Sequence, residues 1–182
     1  RHREEREPLR VLMVGRFVEK KGFVDGVEAF ARFVEKGGKG QLNIVGDSDG
    51  SETSEGIKKE ICHTIEDRDL TGRVNLHGFL DPEDLQEHYY DNHVLLVPSR
   101  TASTGDNEGG APVTIIEAQS TGLPVIGTDH CDIPNLVKKG ETGFIVDEGD
   151  VSGLSEAMLS IFKGIGEVEN LGRGARRFIE KN

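Results

Sequence analysis

The chain has 182 residues, 30% charged and 35% hydrophobic, an ordinary balance for a soluble globular protein with room for a core of its own. Its 22 basic and 33 acidic residues leave a formal net charge of −11. A surface this acidic repels phosphate backbones and anionic headgroups, which argues against nucleic-acid binding and nonspecific membrane binding. No run of about 18 apolar residues occurs, so nothing reads as a membrane span.

The opening, RHREEREP, is a charged strip and not a signal sequence. It leads straight into a strand and does not begin with Met, so residues 1–8 read as a linker or boundary. Residues 9–182 read as one domain of a longer protein. Cys62 and Cys131 lack CxxC spacing and read as reduced thiols of a cytosolic protein, not a disulfide frame or zinc site.

Strands and helices alternate along the chain. LRVLMVG at 9–15 is a short apolar run ending in glycine, a buried strand. Residues 23–37 carry Phe23, Val27, Phe30, Ala31 and Val34 at helical spacing, and glycines end the pattern. QLNIVG at 41–46 is a second strand, and 54–69 an amphipathic helix. RVNLHG at 73–78 is a third strand. The segment 81–92 opens on an Asp cap with Pro at the first helical position. HVLLVPS at 93–99 is a fourth strand, LPVIGT at 123–128 a fifth and GFIVDEGD at 143–150 a short sixth. Helices over 151–163 and 166–180 close the chain. Buried, non-alternating strands interleaved with helices predict an α/β fold: a Rossmann-like, doubly wound parallel sheet of about six strands. Ligands of such sheets bind beyond the carboxyl ends of the strands. Glycines recur there, at Gly15, Gly46, Gly78 and Gly127, partly as turn chemistry.

Two segments at those ends carry the chemistry. In VGRFVEKKG, residues 14–22, Arg16 follows the first strand at Gly15 and Lys21 precedes the next helix. Two cations converging there would clamp a diphosphate, each charge-assisted bond contributing about 1.5–3 kcal/mol when shielded. The plainer alternative is solvated loop charge, which is the reading for Lys20. The motif is neither GxGxxG nor GxxxxGK[ST], so dinucleotide and P-loop fingerprints are absent.

The second segment is SRTASTGDNEGGAPVTIIEAQSTGLPVIG, residues 99–127. Gly109, Gly110 and Ala111 leave the backbone uncrowded, and Pro112 fits the first helical position. Free N–H groups and the positive end of the helix dipole then face the ligand edge, a phosphate site built from backbone. Glu117 lies about a turn and a half inside. Its side chain leans back toward the N-terminus, and a carboxylate there suits a vicinal diol such as ribose. The alternative is that Glu117 balances the dipole or meets solvent. Ile115, Ile116 and Ala118 around it suggest a packed helix, where an unpaired carboxylate would be costly.

Other features read as decoys. Asp47-Ser48-Asp49 resembles a metal-binding DxD, but an exposed polar turn fits better, and the calcium-loop match fails because Lys58 stands where its last glutamate belongs. His77 and His130 read as structural, the latter beside the mouth.

In order, these pieces resemble the group 1 glycosyltransferases of the GT-B type, built from two Rossmann domains. VGRFVEKKG is similar to the family's G-R-x4-K-G, LNIVGDSDG to its strand and Gly-Asp, and VNLHGFL to its strand-x-G-aromatic. LLVPS, the stretch from Glu108 to Thr128 and GETGFIVDEGD resemble its later motifs. The likeness runs from about Leu9 to Met158 and implies the C-terminal half of a GT-B fold. That half binds a nucleotide-diphosphate sugar for retaining, metal-independent transfer of a hexosyl group. By resemblance, Arg16 and Lys21 hold the donor diphosphate, with Gly15 beside them. Backbone near Phe79 meets the base, Glu108 the transferred sugar, the amides around Gly109, Gly110 and Ala111 sugar and phosphate, and Glu117 the ribose.

One departure concerns the glutamates: eight residues (GGAPVTII) separate Glu108 from Glu117, one more than the family's usual spacing. Gly110 or Ala111 must absorb it in the loop, or Asp106 takes the place of Glu108. The acceptor is expected on an N-terminal domain outside this chain, so the chain alone should bind nucleotide without turnover. The implied setting is cytoplasmic polysaccharide biosynthesis, with any peripheral contact at the inner membrane made by the other domain. Rival readings are half of a nucleotide-sugar epimerase and a non-catalytic nucleotide-binding module.

Overall fold

The structure, a computed structural model, describes residues 7–107, 110, 112–164 and 166–182. Six strands form one parallel sheet: β1 (Leu9–Val14), β2 (Gly40–Val45), β3 (Val74–Gly78), β4 (Val94–Val97), β5 (Val125–Thr128) and β6 (Gly143–Val146). Their order across the sheet is β3-β2-β1-β4-β5-β6. The chain winds outward from β1 one way and then from β4 the other, so the sheet has its topological switch between β1 and β4. This is the Rossmann-like, doubly wound sheet that the sequence predicts.

The helices are α1 (Phe23–Glu35), α2 (Glu52–Asp67), α3 (Pro82–Asp91), α4 (Val113–Ser120), α5 (Ile133–Leu136), α6 (Val151–Lys163) and α7 (Glu167–Lys181). Strand residues alternate between two cores. Val11 and Met13 of β1, with Val94 and Leu96 of β4, pack under α1, α2 and α6. Leu12, Leu95 and Val97 face the opposite way, toward Tyr89 of α3, Ile115 and Ala118 of α4, and Ile133 of α5. With helices on both faces, residues pointing either way from the central strands are mostly apolar, as Val11 to Val14 of β1 and all of β4 are, and no period of two shows in their sequence.

The sequence placed the elements to within a few residues at their ends, where caps decide. Ser51 caps α2 by accepting from the N–H of Ser54, which starts that helix two residues earlier than its apolar pattern. Asp81 caps α3 through the N–H groups of Glu83 and Asp84, with Pro82 at the first helical position as expected. Three differences have physical causes. Strand β3 is an edge strand, not a buried one, and Leu76 is 42% exposed. A 3-10 turn at Glu19–Lys21 and the single turn of α5 are too short to carry a hydrophobic period. Pro112 is the N-cap of α4, not its first residue: its ψ of 133° is extended, and the helix starts at Val113.

The recurrent glycines at the strand ends are only partly about a ligand. A Cβ at Gly46 would lie 1.7 Å from the carbonyl oxygen of Gly15, so β1 and β2 leave the sheet backbone against backbone. That approach fixes the exit of the β1 loop, which carries the first set of site residues.

Candidate functional site

At the switch point, the carboxyl ends of β1 and β4 open a narrow crevice. Lys21, Ser99, Pro112 and Thr114 line it, above Met13 and Leu96. The structure therefore brings Lys21 to the first turn of α4, as the sequence expects. The half-buried Lys21 runs its stem past Gly15: its Cδ and Cε would be 3.6 Å from a Cβ there. Ser99 is fully buried, and its hydroxyl has no hydrogen-bond partner among the described residues. A helix N-terminus, a lysine ammonium and a serine hydroxyl thus share one crevice, groups of the kind that suit an anion.

The remaining candidates spread around that centre. Arg16 is exposed on the β1 loop and lies close enough to Asp49 to help lower the pKa of its carboxyl, behind the hydrogen bonds from Ser51. Phe79, 61% exposed, follows the end of β3, two strands from β1. Gly110 stands beside the loop after β5, where a Cβ would come 3.8 Å from Asp132 Oδ2. Glu108, Gly109 and Ala111 lie outside the described residues.

Glu117 departs from the packed setting expected of it. Ile115 and Ala118 are buried, but Glu117 is exposed and Ile116 is 42% exposed, so α4 presents this face outward. Glu117 is not unpaired either. The hydroxyl of Tyr89, from α3, donates to its Oε2 at 2.8 Å. Tyr89 is buried, and burial first, then the bond to Glu117, pushes its phenol far above the usual range. A cleft between α3 and α4, lined by Leu85, Gln86, Tyr89 and Glu117, opens at this pair.

Behind the crevice, the segment after β4 is tied down on both sides. The carboxylate of Glu19 accepts from the N–H and the hydroxyl of Ser103, both at 2.8 Å. Lys20 donates to the carbonyl of Asn107 at 2.9 Å and pairs with Asp106 at 3.1 Å. That corrects the reading of Lys20 as solvated charge and engages Asp106, the residue weighed as a stand-in for Glu108. Arg100 reaches back to Asp25 at 3.3 Å. On the far side, Glu148 accepts from the N–H of Thr101 at 2.8 Å and meets His130 Nδ1 at 2.6 Å. His130 is buried and acts through Glu148, in keeping with the structural role read for it. These ties leave no signal in the sequence, because each joins residues far apart in the chain through ordinary surface charges.

Their acid response follows. Hydrogen bonds from Ser103 hold the carboxyl of Glu19 below its ordinary 4.5, and the Thr101 amide does the same for Glu148. A depressed carboxyl stabilises the folded loop above its unfolded pKa, and that contribution disappears as pH falls through the folded value. Amide exchange at Thr101 and Ser103 should therefore accelerate, relative to core strands, once pH drops below 4.5. Unchanged protection there would show that the two carboxylates do not hold the loop.

The aspartates of the DSD turn have partners as well. Asp47 pairs with Lys58 at 2.7 Å, and Asp49 accepts from the N–H of Ser51 at 3.0 Å, so the turn builds the start of α2. Among the described residues, no group of three or more His, Cys, Asp or Glu is placed to hold a metal ion.

The sequence matches the family "Glycosyl transferases group 1" over residues 1–178. The chain belongs to the group 1 glycosyltransferases. It is 33% identical over 174 residues to the amylovoran biosynthesis glycosyltransferase AmsK of Erwinia amylovora, covering 96% of this chain and 41% of AmsK. Among solved structures it is similar to the sucrose-phosphate synthase of Thermosynechococcus elongatus, with a TM-score of 0.83 and 29% identity, over 98% of this chain and 42% of that one. It also superposes, with a TM-score of 0.83 and 15% identity, on the C-terminal domain of the group 1 protein LpcC from Francisella tularensis, over 96% of this chain and 85% of that one. This glycosyltransferase chain thus has the fold of the C-terminal GT-B half. It spans about two fifths of AmsK's length. No described helix of the glycosyltransferase chain is long and apolar enough to cross a membrane.

Proposed function

We propose that this chain is the donor-binding half of a retaining, metal-independent hexosyltransferase. It would hold a nucleotide-diphosphate sugar while an N-terminal domain outside this chain holds the acceptor. The observation that carries the reading is the crevice at the switch point, where Lys21 meets the first turn of α4. A nucleoside diphosphate needs two kinds of contact there, and the candidate residues offer both. Lys21, Arg16 and the α4 amides suit the phosphates, and Glu117 accepts from ribose hydroxyls. In the transfer step the sugar–oxygen bond to the diphosphate breaks, positive charge develops on the sugar and negative charge on the departing phosphate. Fixed donors at the phosphate stabilise that growing charge without reorganising, which is how such a site accelerates the step. Asp47 and Asp49 already serve Lys58 and the start of α2, which supports a reading without a metal bridge on the DSD turn. AmsK's part in amylovoran biosynthesis makes a saccharide the natural class of acceptor.

Calorimetric titration of the chain with UDP, GDP and ADP, with and without magnesium, tests this. One nucleotide is expected to bind in either condition. Glu117→Ala should weaken it about tenfold or more, since two hydroxyl bonds to a carboxylate are lost. Binding of none of the three, or only with magnesium, would overturn the reading. The chain alone should show no sugar transfer, and measurable turnover by it would refute the assignment of the acceptor to another domain.

A further inference from the structure

We infer that Tyr89 is a positioning residue for the ribose site: its hydroxyl fixes the carboxylate of Glu117 so that the other carboxylate oxygen faces the nucleotide. The inference rests on the reading of Glu117 as the ribose ligand and deepens it. Tyr89 sits on α3, is 3% exposed, and packs in the core with Leu95, Ile115 and Ala118. Tyr89 also lines the cleft between α3 and α4, where its hydroxyl donates to Glu117 Oε2 at 2.8 Å. The direction of that bond is fixed by chemistry. Burial and the neighbouring carboxylate hold the phenol protonated, and an ionised carboxylate only accepts.

Among the described residues, the bond from Tyr89 is the one hydrogen bond that restrains the Glu117 carboxylate. Glu117 is on the exposed face of an eight-residue helix, and its flexible side chain would sample several rotamers in water. A vicinal diol is recognised by two O–H bonds to one carboxylate, and this requires the carboxylate plane to be set before the ligand arrives. Tyr89 is well made for that task. Its ring is locked in the core, it has few rotatable bonds, and its hydroxyl takes one lobe of Oε2. The remaining lone pairs, mainly on Oε1, stay available to the sugar. Ordering the side chain ahead of binding removes a cost that would otherwise be met by the ligand.

A ratio of affinities separates positioning from general support. UDP, GDP and ADP are each titrated against their 2′-deoxy counterparts into the wild-type chain, Tyr89→Phe and Glu117→Ala, and the nucleotide that binds tightest is used. The wild-type chain is expected to prefer the ribonucleotide clearly. In Tyr89→Phe that preference should fall about three- to tenfold, the scale of one side chain losing its preset rotamer, toward the ratio in Glu117→Ala. Phenylalanine keeps the ring in the core, so the fold survives, and a structural role alone would shift both nucleotides together and leave the ratio alone. A ratio in Tyr89→Phe equal to wild type, with Glu117→Ala still lowering it, overturns the positioning role of Tyr89 while Glu117 stands. Equal affinity for the two nucleotides in the wild-type chain, or no binding by any, overturns the ribose site itself and Tyr89 with it.

Discussion

Lys21→Ala is expected to weaken nucleoside diphosphate binding about 10- to 150-fold, the equivalent of losing one shielded charge-assisted bond of about 1.5–3 kcal/mol. The size follows from where the ammonium sits. Lys21 is half-buried and lines a crevice whose other walls are Ser99, Pro112 and Thr114, so an anion bound there would have little water around it. Its stem lies along Gly15, which limits how far the head can wander. Arg16 is exposed, so its attraction is screened by salt and Arg16→Ala should cost less, with the deficit shrinking as ionic strength rises. Calorimetry on the two variants at low and high salt tests both statements. Binding of the bare nucleoside should be indifferent to Lys21, because no phosphate is present to lose its partner. An unchanged dissociation constant for the diphosphate in Lys21→Ala would remove the residue from the site and, with it, the main support for a phosphate crevice at this point of the sheet.

The fold, and the nearness of Lys21 to the start of α4, were legible in the sequence for different reasons. The strands could be read because both faces of the sheet are covered, so β4 is wholly apolar and β1 is apolar but for Arg10 near its start. Lys21 and the start of α4 could be placed together because a doubly wound sheet puts every strand-to-helix loop on one edge, and a proline before an apolar helix marks its entry. Glu117 was placed on the right helix but in the wrong surroundings. Three of its neighbours are apolar, yet a helix of eight residues has room to bury only one side, and Ile116 and Glu117 fall on the other. Tyr89 was missed because one aromatic residue in an amphipathic helix looks like any core residue; its hydroxyl matters only once α3 and α4 lie side by side. The same holds for Glu19, Lys20 and Glu148. Their spacing to Ser103, Asn107 and Thr101 spans much of the chain, and only the folded sheet brings those loops to one edge.

These ties also bear on how a glycine-rich, polar loop could serve the proposed donor site. A loop that must close over a ligand pays conformational entropy for each residue it orders. Glu19, Lys20 and Glu148 tie Thr101, Ser103 and Asn107 down, from the β1 side and from the β6 side at once. The 3-10 turn that holds Glu19 and Lys20 also delivers Lys21 to the crevice, so the loop after β4 and the lysine are set by the same three residues. Whatever displaces that turn disturbs both.

Gly22 is the residue on which the turn depends, and Gly22→Ala is expected to destabilise the protein by about 2–5 kcal/mol. Two penalties combine. Gly22 has φ of +64°, in the left-handed region, where an L residue costs about 1–2 kcal/mol. A Cβ there would also lie 1.9 Å from the carbonyl oxygen of Pro98, at the end of β4. That oxygen belongs to the backbone and cannot rotate away, so either the 3-10 turn or the exit of β4 must move, an overpacking cost of about 1–3 kcal/mol. At about 2–4 °C per kcal/mol for a chain of this size, the midpoint of thermal unfolding should drop by roughly 4–20 °C. Because Lys21 precedes Gly22 and Ser99 follows Pro98, the folded fraction should also bind nucleotide poorly. Gly37→Ala isolates the first penalty: its φ is +88°, and nothing lies within 4 Å of a Cβ there. If Gly22→Ala loses no more stability than Gly37→Ala, the Pro98 carbonyl yields freely and the close approach of the two loops is not what holds Lys21 in place.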